Sequence, residues 1–389
     1  MRKVAANYVF PVSSAPIRNG IVTFNDEGII TEIKDNGGAL MEAQGIEFYN
    51  GILVPGFVNC HCHLELSHLH KKISHGNGLM TFINELVSIR NVDIRDIKHC
   101  ISVADSQMYS EGIVAVGDIS NTSDSITAKM ASKIKYHTFI ELFDLYFKDV
   151  GELIANGALL QKQYEELGLS SSIVPHAPYS VSPELFVNIA SFHKKGSLYS
   201  IHNQETTDED LMFLEGKGVL FDMINKMPNS RFLPTGKASL PSYFDYLPNE
   251  SKVLLVHNTF SRAEHIQLLK NKDITLVLCP NANRYIENRL PDIPMFVKEG
   301  IKLALGTDSL ASNYKLSILE EMKTIVASFP DISFEEVLQW GTLNGAKALG
   351  LEADFGSFEV GKKPGINLIC NFDFQKMTID KDSFIKKLV

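Results

Sequence analysis

Residues 52–65 read ILVPGFVNCHCHLE. A nearly unbroken apolar run breaks at Asn59 and then delivers His61 and His63, two residues apart. Strands covered on both faces, as in parallel sheets sandwiched by helices, read as continuous apolar runs of this kind. Strand side chains alternate, so the two histidines project to one side, and Cys60 and Cys62 project to the other, toward a helical layer. Two imidazoles at this spacing can share one divalent ion. A hydrogen-bonded core histidine is the ordinary alternative for either one alone.

Seven further runs of the same character follow. They are IVAVGDIS (113–120), KYHTFIEL (135–142), SSIVPHAP (171–178), SLYSIHN (197–203), KVLLVHN (252–258), ITLVLCP (274–280) and IKLALGTD (301–308). The stretches between them carry helical signals. Leu79, Phe82, Ile83, Leu86 and Ile89 open a helical stretch over 80–110. Ser182-Pro183-Glu184 reads as an N-cap with proline at the first helical position. Ser261 reads as the start of a capping box with Glu264. Eight strands with helical crossovers predict an α/β fold, a (β/α)8 TIM barrel. Length alone does not separate it from an open doubly wound sheet, but no GxGxxG follows the first run, which removes the usual sign of dinucleotide binding. Both ends of the chain are rich in short β-like pieces, and the expectation is a small discontinuous β-sandwich built from 1–54 and 351–389 around a barrel at 55–350.

The chain of 389 residues is 44% hydrophobic and 21% charged, ordinary globular usage. A net charge of −9 argues against sequence-independent binding to nucleic acid. No apolar run is long enough for a transmembrane helix, and the N-terminal stretch does not read as a signal peptide. Five irregularly spaced cysteines do not form a disulfide framework, so a soluble, cytoplasmic protein is expected.

In a barrel of this type chemistry sits at the C-terminal ends of the strands. Polar residues that stop an apolar run there are therefore informative. Besides His61 and His63, the fifth run ends in His202-Asn203-Gln204-Glu205, the sixth in His257-Asn258 and the eighth in Thr307-Asp308. Three imidazoles (His61, His63, His202) and the Asp308 carboxylate would hold one divalent metal ion, and a donor set without thiolate suits Zn or Fe. Such an ion lowers the pKa of water toward ~7. Asp308 would take the water proton, Glu205 would shuttle protons to a substrate ring nitrogen and leaving group, and His257 would stabilise the tetrahedral intermediate.

At these residues the chain resembles the amidohydrolase superfamily, in the branch of cytosine, guanine and adenosine-derivative deaminases with related triazine hydrolases. The matching pieces are PGFVNCHCHLE (55–65), VPHAPYSVSPE (174–184), HNQET (202–206), VHNT (256–259), CPNAN (279–283), GTDSLASN (306–313) and GSFEVGKK (356–363). The resemblance implies a barrel with an attached β-sandwich and a mononuclear Zn or Fe site. It implies His61, His63, His202 and Asp308 as ligands, Glu205 as proton shuttle and His257 as catalytic histidine. It also implies hydrolytic release of ammonia from an aminated heterocycle, with adenosine derivatives such as aminodeoxyfutalosine the most similar substrates. Hydrolysis of a cyclic amide or C–Cl bond at the same site is the alternative, and an inactive scaffold a remote one. The partner is a small molecule, with a homodimer suggested by the family's habits.

Other residues have two readings each. His176 resembles a substrate-contacting histidine, or is a braced loop residue. Glu65 faces substrate or caps a helix. Arg284 and Arg289 receive a substrate carboxylate or phosphate, or are surface arginines. Phe143, Tyr146 and Phe147 stack on a ring or pack. Glu141 supports the site from behind or is itself a ligand. His68, His70 and His75 belong to a lid or to a solvated loop, and Trp340 is expected in the core.

Overall fold

A computed structural model describes residues 1–39 and 45–389. Five strands come first: β1 (Arg2–Val9), β2 (Ile17–Arg18), β3 (Ile21–Phe24), β4 (Ile30–Lys34) and β5 (Ile46–Pro55). The eight apolar runs then each contain a strand: β6 (Phe57–Cys62), β7 (Ile113–Ser120), β8 (Lys135–Leu142), β9 (Ser170–Pro175), β10 (Leu198–Asn203), β11 (Lys252–His257), β12 (Ile274–Leu278) and β13 (Leu303–Leu305). Strands β14 (Ile366–Cys370) and β15 (Phe384–Lys387) end the chain.

Strands β6 to β9 and β10 to β13 form two parallel four-stranded ladders, each in chain order. Two seams close them into a TIM-barrel-like α/β fold. At one, the His202 N–H donates to the His176 carbonyl (2.9 Å); at the other, the Thr307 and Asp308 N–H groups both donate to the His61 carbonyl (3.0 Å each). Closure is also visible in the packing. Val58, Ala115, Phe139, Val174, Leu198, Leu254, Val277 and Ala304, one from each barrel strand, meet in a single buried cluster. The neighbouring positions, such as Val116, Ile140, Ile173, Leu255 and Leu276, pack outward against the helices. This two-sided burial is why the strands read as continuous apolar runs.

The alternation on β6 is broken. Cys62 packs in the outer layer as expected, but Cys60 joins the interior cluster with Val58 and Ala346. The β6–β7 register slips between Asn59 and Cys62, and such an irregularity lets two successive residues share a face. Gly306 is required at the closing seam, since a Cβ there would lie 2.8 Å from the His61 Cβ.

The helical stretch at 80–110 is two helices, Leu79–Ile89 and Ile94–Ser110, and the Asp93 side chain caps the second by accepting the Arg95 N–H (2.8 Å). Ser182 caps Pro183–Ala190 as expected. The Ser261 capping box does not form. The helix begins at Ala263, and the Ser261 hydroxyl instead donates to Gln204 Oε1 at 2.6 Å.

The two chain ends do meet. β14 pairs antiparallel with β5, joining β15 and β14 to β1–β5 in one seven-stranded sheet. A second sheet facing it, which a sandwich requires, is not found among the described residues. β1 accepts partners along both edges, β5 on one and β3 on the other, and keeps the sheet continuous. Its buried face gathers Val4, Val22, Phe24, Leu53, Phe358 and Leu368. No helix among the described residues is long and apolar enough to cross a membrane.

Candidate active site

The strand ends bring His61, His63, His202, Glu205, His257 and Asp308 together. His63 Nε2 lies 3.1 Å from His61 Nε2 and 3.3 Å from His202 Nε2. Asp308 Oδ1 lies 3.6 Å from His61 Nε2 and 3.5 Å from His63 Nε2. Four donors about 2.0–2.1 Å from a tetrahedral zinc ion would stand about 3.4 Å apart, so these separations fit one shared ion.

The supporting contacts point the same way. His202 Nδ1–H donates to the His176 carbonyl at 2.8 Å, which leaves Nε2 with its lone pair toward the cluster. Burial, reinforced by neighbouring imidazoles, holds His202 well below the usual histidine range and brings His63 down to about 3. Both rings are therefore neutral, as ligation requires. Burial opposes ionisation of Asp308, but its contact with His61 and the proximity of His63 and His257 outweigh that and hold it well below the carboxylate range. Ser312 Oγ donates to its other oxygen at 2.5 Å.

Glu205 is in the opposite state. It is 6% exposed; burial, then the charges of Asp308, Glu287 and Glu141, push its carboxyl well above the usual range. Its Oε1 lies 3.6 Å from His257 Nε2. His257 Nδ1–H donates to Asn283 Oδ1 at 2.9 Å, so Nε2 is the nitrogen it offers to the site. Gln204, His257, Asn258 and Asp308 all have positive φ, from +48° to +70°. Such conformations cost non-glycine residues on the order of 1–3 kcal/mol each, and they concentrate at functional sites.

A model of the amidohydrolase family matches residues 52–382. The chain belongs to the amidohydrolase family. It is 27% identical over 334 residues to an adenosine deaminase of Helicobacter pylori, covering 82% of this chain and 79% of that one. It is 28% identical over 336 residues to an aminodeoxyfutalosine deaminase of Nitratiruptor sp., with the same coverage. The crystal structure of Helicobacter pylori aminofutalosine deaminase in complex with methylthio-coformycin superposes with a TM-score of 0.84 at 23% identity, covering 97% of this chain and 94% of that one.

Within this amidohydrolase fold, several residues hold the cluster without any signal having singled them out. Asn59 is fully buried; its Oδ1 accepts the Thr307 and His61 N–H groups (3.0 and 3.3 Å) and its Nδ2 donates to Thr307 Oγ1 (2.7 Å). Glu209 accepts the N–H groups of Gln204 (3.1 Å) and Glu205 (2.7 Å). Glu321 accepts those of Asn281 and of the Asn313 amide (2.8 Å each). Asn59 and Asn283 lie inside the quoted motifs, whereas Glu209 and Glu321 lie outside them, on the helices Thr207–Glu215 and Ile318–Ser328.

The expected accessory residues divide. His176 stands beside His202 with ring centroids 4.8 Å apart, its Nδ1 bonded to Ser180 Oγ (2.7 Å). Glu141 Oε1 lies 3.6 Å from His202 Nδ1, behind the cluster. Glu65 is taken up by the loop after β7, accepting from the Asn121 and Thr122 N–H groups and the Thr122 hydroxyl (2.8–3.2 Å). Arg284 is exposed and donates to Ser328 Oγ (2.9 Å), and Arg289 lies over the Phe260 ring. Neither lines the cavity that opens beside His63. Phe143 packs on His176, while Tyr146 is buried with its hydroxyl on the Pro178 carbonyl. His68 is buried, His70 contacts the Tyr314 carbonyl (3.0 Å) and His75 packs near Tyr285. Trp340 is in the core.

Beneath the cluster Lys129 and Asp118 form a fully buried ion pair, Nζ to Oδ2 2.6 Å. Asp118 Oδ1 also accepts the Leu64 N–H (2.9 Å), immediately after His63. Lys129→Met would strand that carboxylate, and loss of one partner of a buried pair costs about 3–5 kcal/mol. Urea unfolding should show a drop of that size; a loss under about 1 kcal/mol would mean that water replaces the ammonium.

Proposed function

We propose that this amidohydrolase is a metal-dependent deaminase that releases ammonia from the exocyclic amine of an adenine nucleoside derivative, with a 5′-modified adenosine such as aminodeoxyfutalosine as its substrate. The observation that carries the reading is the juxtaposition of the His61, His63 and His202 cluster and ionised Asp308 with Glu205, whose protonated form burial favours. Two of the curated relatives are named adenosine deaminase and aminodeoxyfutalosine deaminase.

His61, His63, His202 and Asp308 would hold the ion, proposed as zinc with iron the other candidate. When bound, such an ion supplies a Lewis acid that acidifies water toward neutrality. The protein's own groups do the rest. Asp308 accepts the proton that water gives up as it adds to the amine-bearing ring carbon. Glu205 donates its proton to the adjacent ring nitrogen, which lets that carbon accept the oxygen. Glu205, now ionised, takes the remaining proton of the added hydroxyl and passes it to the amine; the C–N bond breaks, ammonia leaves in exchange for the carbonyl oxygen, and the proton held by Asp308 restores Glu205. His257, oriented by Asn283, presents Nε2 to the oxygen as charge develops on it.

The test is ammonia release by zinc-reconstituted protein across adenine, guanine and cytosine bases, their nucleosides and 5′-modified adenosines. Turnover of adenosine derivatives alone is the expected result. Silence across the panel with about one metal retained per chain would transfer the site to the cyclic-amide or C–Cl reaction. Silence with no metal retained would return the inactive-scaffold reading.

A further inference from the structure

The Glu205 carboxyl makes no hydrogen bond among the described residues; His257 Nε2, which faces it, lies 3.6 Å away. Glu205 is tied to the fold through its backbone N–H, which donates to Glu209 Oε1 at 2.7 Å. The two residues before it are held from the other side by the chain that follows β11. There the Asn258 N–H donates to the Asn203 carbonyl and the Phe260 N–H to the Gln204 carbonyl, each at 3.0 Å. No such backbone bond reaches Glu205 among the described residues.

Thr206-Thr207-Asp208-Glu209 carries the spacing of a capping box, in which the N-cap hydroxyl and the glutamate three residues on take up each other's backbone N–H groups. Neither of those bonds forms among the described residues. The Thr206 side chain caps nothing at the start of the helix Thr207–Glu215. Glu209 instead reaches one and two residues further back, to the N–H groups of Glu205 and of Gln204 (3.1 Å). Gln204 has a φ of +48°, a left-handed conformation that persists in a residue with a side chain only where its surroundings enforce it. The Glu209 carboxyl therefore braces the turn that sets the direction in which Glu205 leaves β10. Ser239, on the helix Ser239–Tyr243, donates its hydroxyl to Glu209 Oε2 at 3.1 Å and holds the brace from a further element. Glu209 and Ser239 are both fully buried.

We infer that Glu209 is a positioning residue for the reaction: it aims the Glu205 carboxyl at the substrate ring nitrogen by holding two successive backbone N–H groups. The inference rests on the deaminase reading. A proton-transfer group must stand within about 2.6–3.2 Å of its target, and a misplacement of about 1 Å costs about 10²-fold in rate. Loss of the brace thus acts on proton transfer and leaves the binding of nucleoside and metal in place. A glutamate that served the helix alone would reach the Thr206 N–H.

The experiment measures kcat and KM per zinc-bearing chain for ammonia release from adenosine and 5′-deoxyadenosine. It compares the wild type, Glu209→Gln, Glu209→Ala, Glu205→Gln and the double variant Glu205→Gln/Glu209→Gln. Glu209→Gln keeps the volume and one acceptor but turns an NH2 group toward the second backbone N–H; Glu209→Ala removes both acceptors. kcat should fall about tenfold in the first and about a hundredfold in the second, with KM held within about threefold and one zinc retained per chain. In the Glu205→Gln background the second substitution should cost less than about twofold more, because residues that act as a unit are not additive. Where Glu209→Ala does not fold, Glu209→Gln decides. A loss of kcat below about threefold in Glu209→Gln overturns the inference, and any drop in its Tm then reports stability alone. A further loss of about tenfold in the double variant overturns it too, by placing the effect on a group other than Glu205. Crystal structures of zinc-loaded wild type and Glu209→Gln separate the inference from the reading beneath it. A Glu205 carboxyl displaced by more than about 0.5 Å, with no ammonia from either compound in the wild type, leaves the brace and removes the deaminase reading. A smaller displacement overturns the brace whatever the turnover.

Discussion

Glu205→Gln should lower kcat for ammonia release by about 10²–10⁴-fold while the protein still folds and still binds its metal. That range is what a positioned proton-transfer group contributes. The substitution keeps the shape and the backbone contacts to Glu209 and removes only the exchangeable proton. Because Glu205 is 6% exposed and burial pushes its carboxyl well above the usual carboxylate range, its protonated form is favoured and it enters the reaction as the acid. The sign of the pH dependence follows. Activity that needs the protonated form is complete below the raised pKa and falls as pH rises through it, so kcat/KM should show an alkaline limb. Glu205→Gln should flatten that limb as well as lower the rate. A variant that keeps activity within about tenfold of wild type, or a limb that survives the substitution, would place the proton donor elsewhere.

The barrel was legible because its strands are buried on both faces, and every one of the eight apolar runs contains a strand. The cluster was legible for a related reason: an apolar strand stopped by an imidazole or a carboxylate marks the end where barrel chemistry sits. What escaped is the part of the structure that depends on how separate strands meet. Asn59 reads as the polar break in an apolar run, yet it bonds β6 to the residues after β13. The register slip that turns Cys60 inward is a property of the β6–β7 pairing, not of β6 alone. Ser261 has the local chemistry of a cap, but Gln204, distant in sequence, claims its hydroxyl. Arg284 and Arg289 were singled out by charge type near a strand end. In the fold Arg284 donates to Ser328 Oγ and Arg289 lies over the Phe260 ring.

His202→Ala should abolish stoichiometric metal binding and take ammonia release down by several powers of ten. His202 lies on β10, and among the described residues its Nε2 has no protein partner except the facing His63 nitrogen, 3.3 Å away. Two such nitrogens, both neutral, gain nothing from each other without a shared cation between them. The packing of these imidazole nitrogens at 3.1–3.3 Å, with the Asp308 carboxylate 3.5–3.6 Å away, is therefore an arrangement that metal binding stabilises. Because a folded-state ligand stabilises by RT ln(1 + [L]/Kd), a metal present at about 1,000 times Kd adds about 4 kcal/mol. Stripping the wild type with a chelator should then lower Tm and silence the enzyme together, and zinc should restore both. In His202→Ala the same treatment should change neither. The catalytic loss is large because water without a metal has a pKa of about 15.7 rather than about 7, and no side chain in the cluster replaces that acidification. Full activity in a preparation with less than about a tenth of an equivalent of any divalent metal would sink the assignment, because each turnover by this route needs the ion in place. Retention of one zinc per chain by His202→Ala would sink it independently, by showing that the ion sits on other donors.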